Sequence, residues 1–262
     1  MMKQGQKMSE FRLSFPACVV AGKNGLTAED TVLLRKFTFP DGVRSPDDVV
    51  TILALNQICP EKCEEWNTYF VESLTHYIVH HCYPSGTLDE INVAWIESVF
   101  ATGGIIWSAM ELELILHVIE ISPHVPPALT VLALDQLQHA LAGGDGAYRS
   151  IRGCRDNGVT EFDLRYIRRV LRHAFDRNGL RLMEREVDAI RRIDAATAPG
   201  ASHPDWHDLV AAADCGTDRE SAQSAEKPTR WLRVPDTFFL DEDMSPGPSA
   251  DMSPCISAQP AG

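Results

Sequence analysis

Apolar residues recur at helical spacing in three segments of the chain, and each segment contains a glycine near its centre. In each segment an aromatic residue precedes the glycine, an aliphatic residue follows it directly, and an acid comes six or seven positions later. Aliphatic residues four and seven positions beyond that acid share one helix face with it. The pattern predicts three helix–loop–helix units, which contain Gly42, Gly104 and Gly179, followed by Asp48, Glu111 and Glu186.

Threonine residues mark the start of the helix that leads into each loop. Thr27, Thr87 and Thr160 each precede acidic residues and an apolar-periodic run, so each is predicted to be an N-cap. A loop with proline and a further helix are predicted after each unit. Because no run alternates as a strand does, the predicted fold class is all-α, a bundle of about nine helices built on three repeated helix–Gly loop–helix units.

Composition divides the chain into five parts. The glycine-rich stretch GGDGAYRSIRG has no strand before it, so it is predicted to be a flexible linker. The C-terminal residues are rich in serine, proline, glycine, alanine and acids, which is typical of disorder. The predicted parts are a partly flexible N-terminal segment 1–24, helical units 1 and 2 at 25–142, the linker 143–158, unit 3 at 159–214, and a mostly disordered tail 215–262.

An apolar cluster interrupts this polar tail. Within residues 230–240 the bulky side chains include Trp231, Leu232, Phe238 and Phe239. Bulky residues between disordered segments either fold back onto a folded body or dock on another protein. Both alternatives stay open, and in the second these four residues form a partner-binding motif.

The third loop has part of the pattern of a calcium-binding EF-hand. Such a loop needs oxygen ligands at alternate positions and a glutamate that closes it at the twelfth position. The candidate ligands are Asp176, Asn178 and Glu186, but the span from Asp176 to Glu186 is only eleven residues. Binding of a divalent cation such as calcium by these three residues is one hypothesis for the loop.

Helix capping is the alternative role for the acids of the three units. Ser45 lies three residues before Asp48, and Ser108 lies three residues before Glu111, which is the spacing of a capping box. An acid at that position accepts hydrogen bonds from backbone N–H groups and suits the positive end of the helix dipole. A methionine stands at the serine position of the third unit, so capping explains its acid less completely.

The sequence DGVRSPDDV of the first unit resembles the helix–loop–helix units of TerB-like domains. These domains are all-helical modules of tellurite-resistance and co-chaperone proteins, and some carry acidic metal-binding positions. The resemblance covers short cores within residues 27–212, and the sequence ATGGII and the arginine-rich third unit depart from it. It implies an α-helical regulatory or stress-linked module and places no catalytic residue on this chain.

A carboxylate and two imidazoles lie one helical turn apart in the segment YFVESLTHYIVHH. Glu72, His76 and His80 share one side of a predicted helix whose other side is apolar, and Glu113, His117 and Glu120 make a similar set. Such a set can bind zinc or iron if another helix supplies a further ligand. The alternative is a solvated face or a polar helix–helix contact, because Glu–His pairs at this spacing are common on helix surfaces.

Charge and composition narrow the possible partners. The 262 residues carry a formal net charge of −13, which disfavours nucleic acid or an anionic membrane surface. No segment approaches about 18 uncharged apolar residues, so no membrane insertion is expected. Seven cysteines without a repeated metal-ligand spacing favour reduced thiols and a cytoplasmic location.

The sequence therefore predicts a non-enzymatic helical scaffold or regulatory protein that contacts another protein and needs no cofactor. P-loop, dinucleotide-binding and Gly-x-Ser-x-Gly motifs are missing from the sequence. The alternative function is a divalent-metal-binding protein or metalloenzyme that holds calcium in the third loop or zinc at the Glu/His sets.

Overall fold

A computed structural model describes residues 14–153, 156–176, 179–198 and 200–225. In these ranges the protein has eleven helices and four strands of two residues each, which confirms the all-α prediction. Strands β1 (Gly25–Leu26) and β2 (Glu61–Lys62) pair in parallel, and β3 (Phe175–Asp176) pairs antiparallel with β4 (Gly179–Leu180). The helices are α1 (Phe15–Ala21), α2 (Ala28–Phe37), α3 (Pro46–Ile58), α4 (Glu64–His80), α5 (Glu90–Phe100), α6 (Ala109–Ile121), α7 (Pro127–Ala142), α8 (Gly146–Arg152), α9 (Glu161–Val170), α10 (Glu184–Ala196) and α11 (Pro204–Ala225).

Each of the three glycine loops lies between two helices. The loop with Gly42 joins α2 to α3, the loop with Gly104 joins α5 to α6, and Gly179 lies between α9 and α10. An isolated bridge between Thr102 and Ile105 closes the second loop, and the β3–β4 pair lies in the third. The acid of each unit is therefore in the first turn of the helix that leaves its loop.

Local capping signals correctly locate two of the three predicted helix starts. Thr27 and Thr160 are N-caps with complete capping boxes, because the carboxylate of the aspartate three residues later accepts a hydrogen bond from the backbone N–H of each threonine. The prediction for Thr87 is wrong: Asp89 caps α5, and its carboxylate accepts from the N–H groups of Ile91 and Asn92, both at 2.9 Å. A carboxylate two residues closer to the first apolar residue is the better acceptor for these backbone groups.

Helix α7 is the central helix of the second half of the fold, where it packs against α5, α6, α8, α9 and α10. Its side chains Leu129, Ala133, Leu134 and Leu137 are fully buried, so it is covered on more than one face. The Tyr166 hydroxyl of α9 donates to the carbonyl of Ala133 at 2.7 Å. In the first half, α4 packs between α2 and α6 and links the two halves.

The segment predicted as a flexible linker contains a packed helix instead. In α8 the side chains of Tyr148 and Arg152 are buried, and the Arg152 Nε donates to both oxygens of Asp163 at 2.9 and 3.0 Å. A glycine-rich stretch has no local signal for an ion pair with a residue in the next helix, so the sequence pattern misses this element. Helices α1 and α8, seven residues each, are the two beyond the nine predicted.

Candidate functional site

In the first unit the acid is fully engaged in capping its own helix. The Asp48 carboxylate accepts from the N–H groups of Arg44 at 3.1 Å and of Ser45 at 2.9 Å. The Ser45 hydroxyl donates to the same carboxylate at 2.7 Å and accepts from the Asp48 N–H at 3.1 Å. This is a complete capping box, so the capping prediction for Asp48 is confirmed.

In the second unit the predicted capping box is not formed, although the predicted N-cap position is correct. Ser108 is the N-cap of α6, but among the described residues its side chain accepts no capping bond. Glu111 instead lines a cavity of about 760 Å³ between α3, α5 and the start of α6, where burial raises the pKa of its carboxyl group. The loop backbone is held by Gln136 of α7, whose Oε1 accepts from the Ile106 N–H at 2.8 Å.

In the third unit the acid is a buried backbone acceptor. Glu186 is 8% exposed, and its carboxylate accepts from the Met183 N–H at 2.9 Å. Burial raises the pKa of Glu186, although hydrogen bonds from Met183 and from the Thr130 side chain act in the opposite direction. Glu186 lines a cavity of about 290 Å³ together with Thr130 and His173.

The predicted calcium ligand set of the third loop is only partly visible. Asn178 lies outside the described residues, as does the side chain of Asp176. Because Glu186 is turned to the backbone of Met183, its observed contact is that of a helix-start acceptor. Calcium binding by Asp176, Asn178 and Glu186 stays a prediction.

Of the first predicted zinc set, the two histidines lie together. The ring centroids of His76 and His80 are 4.9 Å apart on α4, and the ring centroid of His81 lies 5.0 Å from that of His76. Glu72 lines a surface cavity with Val71 of α4 and residues of α6. In the described parts of the chain, no group of three or more His, Cys, Asp or Glu side chains is arranged to hold a metal ion.

The second Glu/His set is engaged by an arginine of α9. Arg169 donates to both oxygens of Glu113 at 2.9 and 2.6 Å, and its Nε donates to Glu120 at 2.6 Å. Hydrogen bonding from Arg169 lowers the pKa of Glu120. His117 lies 3.5 Å from the same Glu120 carboxylate. The Arg169 guanidinium donates to the oxygens of both carboxylates, so these ion pairs form a polar seam between α6 and α9.

The surface next to this seam is an apolar groove formed by α6, α8 and α9. Its cavity is about 240 Å³, and two of its side chains, Ile151 and Phe162, are each 44% exposed. We call this surface the α6–α8–α9 groove. It is lined by Leu112, Glu113, Leu116, Tyr148, Ile151, Phe162, Arg165, Tyr166 and Arg169.

Buried aromatic rings and an ion pair fix the floor of the α6–α8–α9 groove. The ring of Tyr148 lies 4.2 Å from that of Tyr166 and 6.2 Å from that of Phe162, measured between centroids. The Tyr148 hydroxyl donates to Asp163 at 2.9 Å, and Asp163 is also paired with the buried Arg152. These contacts constrain the buried tyrosine rings that form one side of the groove.

Sequence reasoning missed this groove because its walls come from three helices. The apolar Phe162 directly after the N-cap region of α9 was the one local signal. The other half-exposed residue, Ile151, falls in the segment interpreted as a linker. A groove of this kind becomes visible only when the packing of α8 against α6 and α7 is known.

Two further predictions concern the tail and membranes. The predicted partner-binding residues Trp231, Leu232, Phe238 and Phe239 lie outside the described residues. Within the described ranges, none of the helices combines the length and the apolar character needed to span a bilayer.

Comparison of the chain with protein-family models, with curated proteins and with solved structures found no match. The TerB-like resemblance therefore stays a prediction.

Proposed function

We propose that this chain is a non-enzymatic helical module that binds another protein through the α6–α8–α9 groove. The observation that carries the proposal is the pair Ile151 and Phe162, which stand half-exposed over a buried apolar floor. Exposed apolar side chains are common when they stand singly, but here they line one concave surface. Their burial against a partner gives a driving force for association.

The size of the groove favours a protein side chain over a free small molecule. Its volume of about 240 Å³ is below the range of about 300 to 1,000 Å³ that is usual for small-molecule sites. A cavity of this size accommodates one or two bulky side chains. Anchoring of such side chains in a preformed, well-packed pocket is how most of the binding energy arises in protein interfaces.

Charges at the rim restrict how a partner approaches. Arg165 is ion-paired with Glu161, and Arg169 is ion-paired with Glu113 and Glu120, so the rim has carboxylates and guanidinium groups side by side. A partner segment with an apolar anchor and uncharged flanking residues leaves these pairs intact. The resemblance to TerB-like modules, which implies a regulatory protein without catalytic residues, agrees with this proposal.

Site-specific photo-crosslinking tests the proposed surface. A photoreactive phenylalanine analogue replaces Phe162 in one variant and Ile91 in a control variant, since Ile91 is 74% exposed on α5 and lies outside the groove. Crosslinking in the host cell is expected to trap one protein from position 162 and not from position 91. That protein is then purified and its affinity for the full chain is measured directly.

The affinity measurement decides the proposal. Phe162→Ala is expected to weaken binding of the purified partner at least tenfold, equivalent to about 1.4 kcal/mol, whereas Ile91→Ala leaves it unchanged. Equal affinity of both variants would show that the groove is not the binding surface. A chain that ends at Lys227 separates the groove from the tail, because loss of binding on truncation alone assigns the interaction to residues 228–262.

A further inference from the structure

Two histidine rings lie side by side on the exposed face of α4. His76 and His80 are four residues apart, their ring centroids are 4.9 Å apart, and their ring planes are inclined by 57°. Both side chains are exposed to solvent. This spacing on a helix is the one at which two histidines of a single helix share a zinc ion in metalloproteases.

The distance between the rings matches what one shared metal ion requires. A metal–nitrogen bond of about 2.1 Å plus a ring radius of about 1.1 Å places each centroid about 3.2 Å from the ion. Ligand angles between 90° and 109° then give centroid separations of about 4.5 to 5.2 Å. The observed 4.9 Å lies inside this interval, so the separation of the two rings permits coordination of a common ion.

We propose that His76 and His80 form a two-histidine chelate for a late first-row transition-metal dication, namely Ni²⁺, Cu²⁺ or Zn²⁺. Imidazole nitrogen suits these ions, whereas Mg²⁺ and Ca²⁺ require oxygen ligands. Water completes the coordination, because the exposed face of α4 leaves the remaining positions open. The proposed site uses only the two histidines of the predicted set and does not require Glu72.

The surroundings of the pair set the limits of its affinity. The ring of His81 lies 5.0 Å from that of His76, and its buried Nε2 has no hydrogen-bond partner in the parts of the chain that the structure describes. Because the Nε2 of His81 is buried and His81 follows His76 by five residues rather than four, we assign His81 no place in the chelate. The positive charge of Arg44 also reaches His76, where it opposes the binding of a cation. Binding is therefore expected to be weaker than at a closed site with four protein ligands.

Isothermal titration calorimetry of the full chain with NiCl₂ and ZnCl₂ tests the chelate. Wild type is expected to bind one equivalent at its tightest site, and an excess of MgCl₂ or CaCl₂ is expected not to displace nickel or zinc from that site. His76→Ala and His80→Ala are each expected to weaken nickel and zinc binding at least tenfold. His80→Asn, which keeps a polar side chain but removes the imidazole, is expected to do the same while circular dichroism confirms an unchanged helix content.

Two control variants remove a histidine without breaking the pair. His81→Ala leaves both proposed ligands in place, and His124→Ala removes an exposed histidine of the loop between α6 and α7. Both are expected to bind nickel and zinc within twofold of wild type. Unchanged binding in His76→Ala and His80→Ala, or an equally large loss in either control, overturns the assignment. Neither ligand lines the α6–α8–α9 groove, so failure here leaves the proposed function untouched.

Discussion

The side-chain amide of Gln136 is bonded to the backbone of Ile106, thirty residues earlier in the chain. Its Oε1 accepts from the Ile106 N–H at 2.8 Å, while its Nε2 donates to the carbonyls of Gly104 at 2.8 Å and Leu132 at 2.9 Å. Gln136 is only 2% exposed. The second glycine loop is thus held by a neutral side chain from α7.

Replacement of Gln136 by leucine is expected to destabilise the fold. The leucine keeps much of the volume but leaves the Ile106 N–H and the Gly104 carbonyl without their partner, at a cost of about 1–3 kcal/mol for each buried group left unsatisfied. Urea unfolding monitored by circular dichroism measures the change. Gln57→Leu, at an exposed position of α3, is the matched control and is expected to leave the midpoint unchanged. Equal midpoints for the two variants would contradict the proposed role of Gln136.

The ion pair of Asp163 and Arg152 is expected to be essential for the packing of α8 against α9. Both side chains are fully buried, and Asp163 also accepts from the Tyr148 hydroxyl and from the Thr160 N–H. Asp163→Asn leaves the guanidinium uncompensated in the core, which we expect to cost about 3–5 kcal/mol. The measurement is the free energy of unfolding in urea.

A second ion pair on the same helix provides the comparison. Glu161 and Arg165 are both exposed and four residues apart, and solvent screens such pairs strongly. Glu161→Gln is therefore expected to leave the unfolding midpoint unchanged. If Asp163→Asn proved as mild as Glu161→Gln, the buried pair would not be holding α8 in place.

The carboxyl group of Glu186 is expected to make stability fall as the pH rises. Burial raises its pKa in the folded state above the ordinary value of 4.5, so the folded chain binds this proton at pH values where the unfolded chain has released it. Stability relative to Glu186→Gln is therefore greatest below pH 4.5 and declines as the pH rises through the folded-state pKa. Urea unfolding of both proteins from pH 2.5 to pH 8 measures the difference.

The carboxyl group of Glu120 provides a control, because its contribution to stability depends on pH in the opposite direction. Hydrogen bonding from Arg169 lowers its pKa below the ordinary value of 4.5, so its contribution is present above pH 4.5 and is lost as the pH falls through the folded-state pKa. The difference in the free energy of unfolding between wild type and Glu120→Gln should thus shrink on acidification. In contrast, the stability that wild type loses relative to Glu186→Gln should grow as the pH rises. Parallel curves for wild type and Glu186→Gln would contradict the assigned burial effect.

The contrast between local and long-range contacts explains which features the sequence predicts. The periodicity around Gly42 and the capping boxes of Thr27 and Ser45 involve residues within a few positions, and the helices form where these signals place them. Gln136 and Ile106 are bonded across thirty residues, and no local pattern reports such a bond. For the same reason the spacing of His76 and His80 could be read from the sequence, whereas the groove beside Phe162 could not.

Alanine substitutions at two glycines with positive φ angles distinguish the cost of backbone strain from the cost of steric crowding. Gly42 has φ +81°, and a Cβ added to it meets no atom of the described residues within 4 Å. Gly42→Ala is therefore expected to destabilise the fold only by the strain of a left-handed alanine, about 1–2 kcal/mol. At Gly146, with φ +87°, the added Cβ lies 3.0 Å from Ile105 Cγ2 and 3.2 Å from the Ile106 carbonyl oxygen.

That oxygen cannot move away freely, because it accepts from the Ala147 N–H at 2.7 Å, the bond that joins α8 to the second loop. We therefore expect Gly146→Ala to destabilise the protein by about 1–3 kcal/mol more than Gly42→Ala, as overpacked sites do. Urea unfolding of the two variants gives the difference directly. Because α8 carries Ile151, the same variant should also weaken partner binding at the α6–α8–α9 groove, while Gly42→Ala should not. Equal stabilities would show that the start of α8 yields easily, and the rigidity argued for the groove would then be wrong.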